Sequence, residues 1–232
     1  MAEFDLYYWL VPFRGQFIRA ILAYSNCTWQ EHDAEAIGAL MGRDVDQQPI
    51  AFMGPPVLID RDRQFAISQM PAIAFYLAER FDLLPQTPEA RAMSLKLVND
   101  ANDVIDELTL DGGREMWTPE KWQDFTPRLQ KWMTIFEDTG RRHGLTSESG
   151  FMLGTENATV ADIVTAVLWN TMAERFLPIS DLLKKTSPFI WGLSQRMMRD
   201  ERLDKLRLQA FADYGQSYCG GEIEKSLRSV TS

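Results

Sequence analysis

The sequence predicts a small α/β domain followed by an all-helical one, and three observations predict it. Over the first eighty residues, apolar strand-like runs alternate with stretches of helical spacing. A proline-containing stretch, "LLPQTPEA" at 83–90, then interrupts the pattern. Beyond it, residues 91–211 keep helical periodicity with almost no strand-forming run. The expected ranges are 1–82 for the α/β domain, 83–90 for a linker and 91–232 for the helical domain. The junction of two such domains is a natural place for a pocket.

The elements follow in order. "FDLYYWL" (4–10) is apolar and aromatic, as a buried strand requires. In "PFRGQFIRAILAY" (12–24), Phe13, Phe17, Ile18, Ile21 and Leu22 recur at helical spacing, and Pro12 suits a first turn. "TWQEHDA" (28–34) reads as a second strand at an edge. Residues 35–52 stay open, because Gly38, Gly42 and Pro49 break any long helix. "VLID" and "QFAIS" flank "RDR" as a hairpin, and "PAIAFYLAERF" (71–81) is a helix with proline in its first turn. The order is β-α-β-(α)-β-β-α, with a parallel first pair and an antiparallel last pair. Helices are expected near 89–110, 119–141, 160–176, 187–199 and 201–212, and "YCGGEIEKSLRSVTS" reads as a polar tail lying loosely on the surface.

Composition narrows the function classes. The 232 residues are 45% hydrophobic and 25% charged, the ordinary globular range. A net charge of -9 opposes nonspecific nucleic-acid binding, which needs clustered Lys and Arg. No run approaches the roughly 20 apolar residues of a membrane span. "MAEFDLYYWL" has an acid where a secretory leader carries basic residues, so a cytoplasmic location is expected. Cys27 and Cys219 are too few for a disulfide framework, and two histidines without a Cys/His cluster argue against a metal.

"MGPPVLID" (53–60) puts two prolines before a strand, where a ladder loses two donors. These residues permit a rigid trans turn or a cis corner. "YYWLVPFRGQFIRAILAYSNCTW", "ISQMPAIAFYLAERF" and "GTENATVADIVTAVL" extend the pattern over most of the chain. In the last, Thr159 and Asp162 form a Thr-x-x-Asp cap ahead of an apolar helix. Together these segments resemble the cytosolic glutathione transferases, whose first domain is a thioredoxin fold with a cis-proline at this corner. Pro56 matches that proline, and the cis reading is preferred.

The resemblance implies a tyrosine-type transferase joining glutathione, as co-substrate, to an electrophilic apolar compound. It also implies a homodimer with a detoxification role. Anchored on Ile18-Arg19 and Tyr24-Ser25-Asn26, the match makes Tyr8 the catalytic hydroxyl, with Tyr7 on the opposite strand face. Anchored on "PFRG", Leu10 takes that place and no hydroxyl is there. The thiolate is the nucleophile, and a hydrogen bond from the phenol favours it. The serine and cysteine types place their activating residue where this chain has Pro12 and Phe13. Cys27, at the far end of that helix, reads as a buried structural thiol.

Glutathione contacts are implied for Trp9, Arg14, Pro55, Pro56, Gln69 and Met70. Trp9 either lines the pocket or packs in the core. Arg14 pairs with a glutathione carboxylate or with an acid of the other domain. Trp117, Trp122 and Phe125 either wall the second-substrate site or form core or dimer contact, and Arg43 is a weak candidate. Two departures stand out. Met70 replaces a serine that binds the γ-glutamyl carboxylate, and Pro55 keeps a carbonyl but lacks the N–H of the family position. Each lost hydrogen bond is worth about 0.5–1.5 kcal/mol, so glutathione should bind several-fold to about a hundredfold more weakly. A non-catalytic binding or interaction module of the same fold, or a glutathione-dependent isomerase or peroxidase, are the alternative readings.

Overall fold

The computed structural model describes residues 2–231 and, at position 111, the backbone alone; Met1 and Ser232, the outer ends of the expected ranges, lie outside the described residues. The first unit runs β1 (Phe4–Tyr7), α1 (Phe13–Tyr24), β2 (Trp29–His32), α2 (Ala34–Met41), a 3-10 turn (Val45–Gln47), β3 (Val57–Asp60), β4 (Phe65–Ser68) and α3 (Met70–Arg80). Its sheet has the order β2-β1-β3-β4. β1 pairs parallel to β2, with Phe4 opposite Trp29, and antiparallel to β3, with Tyr7 opposite Val57. β3 and β4 are antiparallel, as the hairpin reading expects.

Side chains alternate along β1. Phe4, Leu6 and, just past the strand, Tyr8 join the core with Phe17, Ile18, Ile21 and Leu77 of α1 and α3. Asp5 and Tyr7 take the other face, where Asp5 bonds His32 and Arg61 and Tyr7 stacks on His32 at 4.0 Å. β1 is shorter than the apolar run 4–10, for a local reason. Past Tyr7 the ladder stops, and the carbonyls of Trp9, Val11 and Pro12 accept bonds from the Arg19 guanidinium instead. Residues 35–52 resolve into α2, capped by Asp33 through the Ala36 N–H, and the short 3-10 turn.

The helical part comprises α4 (Pro88–Leu108), α5 (Leu110–Gly113), α6 (Pro119–Arg142), α7 (Val160–Arg175), α8 (Leu177–Thr186), α9 (Pro188–Met197), α10 (Glu201–Tyr214) and α11 (Gly221–Thr231). Thr87 and Thr118 cap α4 and α6, each accepting a backbone N–H three residues on. α7 is buried on nearly every side and forms the centre of the bundle. At its start, the Asp162 carboxylate accepts the Thr159 N–H and hydroxyl at 2.8 Å each and the Met152 N–H at 2.6 Å. The Thr-x-x-Asp reading thus holds, with a third donor tying in the preceding loop.

Besides the four-residue α5, two helices go beyond expectation. α8 follows α7 after a break at Phe176 and buries Ile179 and Leu183. α11 corrects the reading of a loose tail: Leu227 is fully buried, and the Glu224 carboxylate accepts the N–H groups of Tyr218, Cys219 and Gly220. The two units meet where α1 packs on α7 and α10. There Arg14 pairs with Asp106 at 2.9 Å, the Val160 N–H donates to the Leu83 carbonyl, and the Phe13 N–H donates to the Tyr218 carbonyl.

Candidate functional site

At this junction a cleft of about 200 Å³ is lined by Tyr8, Trp9, Phe13, Arg14 and Pro55 from the first unit, and by Thr109, Gly112, Cys219 and Ile223 from the second. Four of the expected site residues therefore converge: Tyr8, Trp9, Arg14 and Pro55. Trp9 is partly exposed rather than core. Pro56 lies buried behind Pro55, and the bond between them is cis. Gln69 is exposed at the α3 N-terminus with a positive φ of 73°. Met70 is buried in the core and is not part of the cleft lining.

Tyr8 is 2% exposed and lines the cleft. The oxygen accepts the Arg14 backbone N–H at 3.1 Å, in the first turn of α1. Its own O–H has no acceptor among the described residues. Burial pushes its pKa up to about 12, with Arg14 and Arg19 pulling the other way. At neutral pH it is therefore protonated, with its O–H still available to donate. Gly15 makes the ring's position possible, because a Cβ there would stand 2.3 Å from the ring.

Arg19 anchors the sequence match, and the structure gives it a further, structural part. Its side chain is buried, it pairs with Glu31 of β2 at 2.7 Å, and its guanidinium sits 5.8 Å from the Tyr8 ring. With three loop carbonyls on the same guanidinium, it shapes the segment that carries Tyr8 and Trp9. Arg14 takes the interdomain alternative: its guanidinium bonds Asn102 and Asp106 of α4.

Cys219 and Ile223 were missed because the tail was read as polar. Ile223, Leu227 and Val230 at i, i+4 and i+7 after Gly220-Gly221 are the overlooked amphipathic pattern. The Cys219 thiol is pushed up to about 12 by burial and the Glu224 charge, so it stays a neutral lining group. Trp117, Trp122 and Phe125 pack on one another at 5.1–6.0 Å, and the Trp117 indole N–H is spent on the Leu108 carbonyl. They lie outside the cleft, with Trp117 buried and Trp122 and Phe125 half-buried against the core. Arg43 is exposed and also outside it. Cys27 is buried, and burial raises its thiol to about 11.

Among the described residues there is no group of three His, Cys, Asp or Glu side chains that could hold a metal, and no helix long and apolar enough to cross a membrane. A family model described as "Glutathione S-transferase, C-terminal domain" matches residues 93–230, more than half of the chain. The chain belongs to the glutathione S-transferase family. No curated protein matches.

Solved structures with the same fold include the Pi-class glutathione S-transferase of Onchocerca volvulus, at 16% identity and a TM-score of 0.73, covering 94% of this chain and 98% of that one. The glutathione S-transferase of Ascaris lumbricoides is 19% identical with a TM-score of 0.72, over 90% and 97% of the two chains. The monomeric Na-GST-3 of the hookworm Necator americanus is 18% identical with a TM-score of 0.71, over 89% and 97%. The four-stranded sheet and helical bundle described above are thus those of a glutathione S-transferase.

Proposed function

We propose that this glutathione S-transferase conjugates glutathione to a small electrophile in the cleft at Tyr8. The observation that carries the reading is a protonated phenol, unspent as a donor, in the same cleft wall as Pro55. Glutathione would lie along the Pro55 carbonyl with its sulfur at the Tyr8 hydroxyl. The O–H bond then favours thiolate over thiol, whose free pKa is roughly 8.5. The sulfur lone pair forms the bond to the electrophilic carbon. The electrons of the bond that breaks leave with the departing group or settle on the neighbouring atom, which takes up the thiol's proton.

The second substrate would meet Thr109, Gly112, Cys219 and Ile223. The cleft of about 200 Å³ is shared with the glutathione sulfur, so a small electrophile suits it better than a polycyclic one. The γ-glutamyl carboxylate would sit at the start of α3, beside Gln69. Pro71 withholds one N–H there, and Met70 is turned into the core, so the anion site has fewer donors than the family pattern. These features also favour a second reading, a family member that binds without turnover. In the first reading the protein is a cytoplasmic homodimer, and sedimentation velocity tests the assembly.

Calorimetry with glutathione, paired with turnover of a chromogenic electrophile, separates the two readings. Conjugation predicts saturable binding in both wild type and Tyr8→Phe, with turnover lost about a hundredfold in the variant. Binding without turnover in the wild type would select the second reading, and equal turnover in the variant would remove Tyr8 from the chemistry.

A further inference from the structure

A larger cavity, of about 460 Å³, opens on the other side of the molecule, between the C-terminal end of α1, the start of β2 and α10. It is separate from the Tyr8 cleft, at the opposite end of a 12-residue helix that spans about 18 Å. Its volume falls within the range of small-molecule sites, about 300–1,000 Å³. Ala23, Cys27, Trp29 and Leu206 give it an apolar floor. Burial keeps the Cys27 thiol neutral, so the floor carries no charge.

The polar groups of the rim divide into those already committed and those left over. Arg202 is held by Asp200 at 2.9 and 2.6 Å and by the Tyr24 carbonyl. The Trp29 indole N–H donates to Glu31 at 2.8 Å, and Gln209 donates to Asp213 at 2.7 Å. The Asn26 amide remains, as do the two charged groups, Glu201 and Lys205. These two stand one helical turn apart on the rim, and neither has an ion pair or a side-chain hydrogen bond among the described residues. Side chains at i and i+4 lie about 5–6 Å apart at their Cβ atoms. A carboxylate and an ammonium thus stand side by side at the mouth of an apolar cavity, close enough to pair with each other or with a ligand.

We propose that this cavity binds an aromatic zwitterion of the amino-acid type, with its ammonium at Glu201, its carboxylate at Lys205 and its ring on Trp29 and Leu206. A simple organic anion would meet Lys205 but be repelled by Glu201, and a simple amine would face the reverse. A ligand carrying both charges near one apolar ring meets each of the two side chains with the opposite charge. The site does not depend on the chemistry proposed for Tyr8.

Isothermal titration of the full chain with L-tryptophan, tryptamine and indole-3-propionate tests this. L-tryptophan should saturate one site in the millimolar range, unaffected by saturating glutathione. Each single-charge analogue should bind about fivefold more weakly or worse. Glu201→Gln and Lys205→Met, both at exposed positions, should each weaken L-tryptophan by about fivefold while leaving the melting temperature unchanged. Absence of saturation up to the solubility limit would overturn the proposal. So would an analogue that binds as tightly as L-tryptophan, competition by glutathione, or unchanged affinity in the two variants.

Discussion

Tyr8 is held from three sides: by the Arg14 N–H on its oxygen, by Gly15 against its ring, and by Arg19 behind the loop that follows it. Burial raises its pKa to about 12, so the phenol remains a donor across the working pH range. Conjugation rate should therefore rise with pH as bound glutathione loses its proton, then level off. A pH–rate profile should show no falling limb from the phenol until pH approaches about 12. A falling limb between neutrality and mildly alkaline pH would contradict the assignment. Gly15→Ala should push the ring off its seat, costing about 1–3 kcal/mol in chemical denaturation and lowering turnover more than glutathione affinity. Unchanged turnover would show that the ring's seat does not matter. The sequence showed which tyrosine could serve, through the distance back from Ile18-Arg19. It did not show why the ring sits there, because contacts between Tyr8, Gly15 and Arg19 depend on how α1 docks on the sheet.

The start of α3 is the end proposed above for the γ-glutamyl carboxylate, and the α11 segment supplies Cys219 and Ile223 to the cleft wall. At the first, Pro71 removes an N–H from an end whose free donors favour an anion. Pro71→Ala should tighten glutathione several-fold by calorimetry; level affinity would place the carboxylate elsewhere. Serine at 70 is a poorer test than the family pattern implies, since Met70 is 1% exposed and its loss leaves a cavity costing about 2–5 kcal/mol.

At α11, Glu224 holds three backbone N–H groups and Arg228. Burial raises its pKa, but the amides of Tyr218 and Gly220 and the Arg228 guanidinium outweigh that and hold it below the ordinary glutamate value. The sign follows: a depressed carboxylate stabilises the fold fully above the unfolded value of about 4.5, and that stability is lost as pH falls below it. Glu224→Gln should cost about 2 kcal/mol at pH 7 and flatten the acid limb of the melting curve. An unchanged acid limb would refute the capping role. The α3 helix was legible from its periodicity and proline. α11 was obscured because its charged face outnumbers Ile223, Leu227 and Val230, and its docking depends on Glu224 reaching back to residues 218–220.

For the molecule as a whole, the alternation of strand and helix, the proline corner and the capped central helix carried the fold. Each of these depends on local chemistry that a single sequence displays. The cleft was only half legible. Its first-unit wall sits on strongly patterned elements, whereas Thr109, Gly112, Cys219 and Ile223 come from a short helix and a C-terminal segment placed by long-range packing. Family membership settles the architecture, and the chemistry turns on whether the Tyr8 phenol stabilises a glutathione thiolate. Ultraviolet titration of the bound thiol in wild type and Tyr8→Phe measures that directly. The account predicts a thiol pKa below the free value of roughly 8.5 in the wild type, returning toward it in a variant that still binds glutathione. The same thiol pKa in both proteins would contradict it.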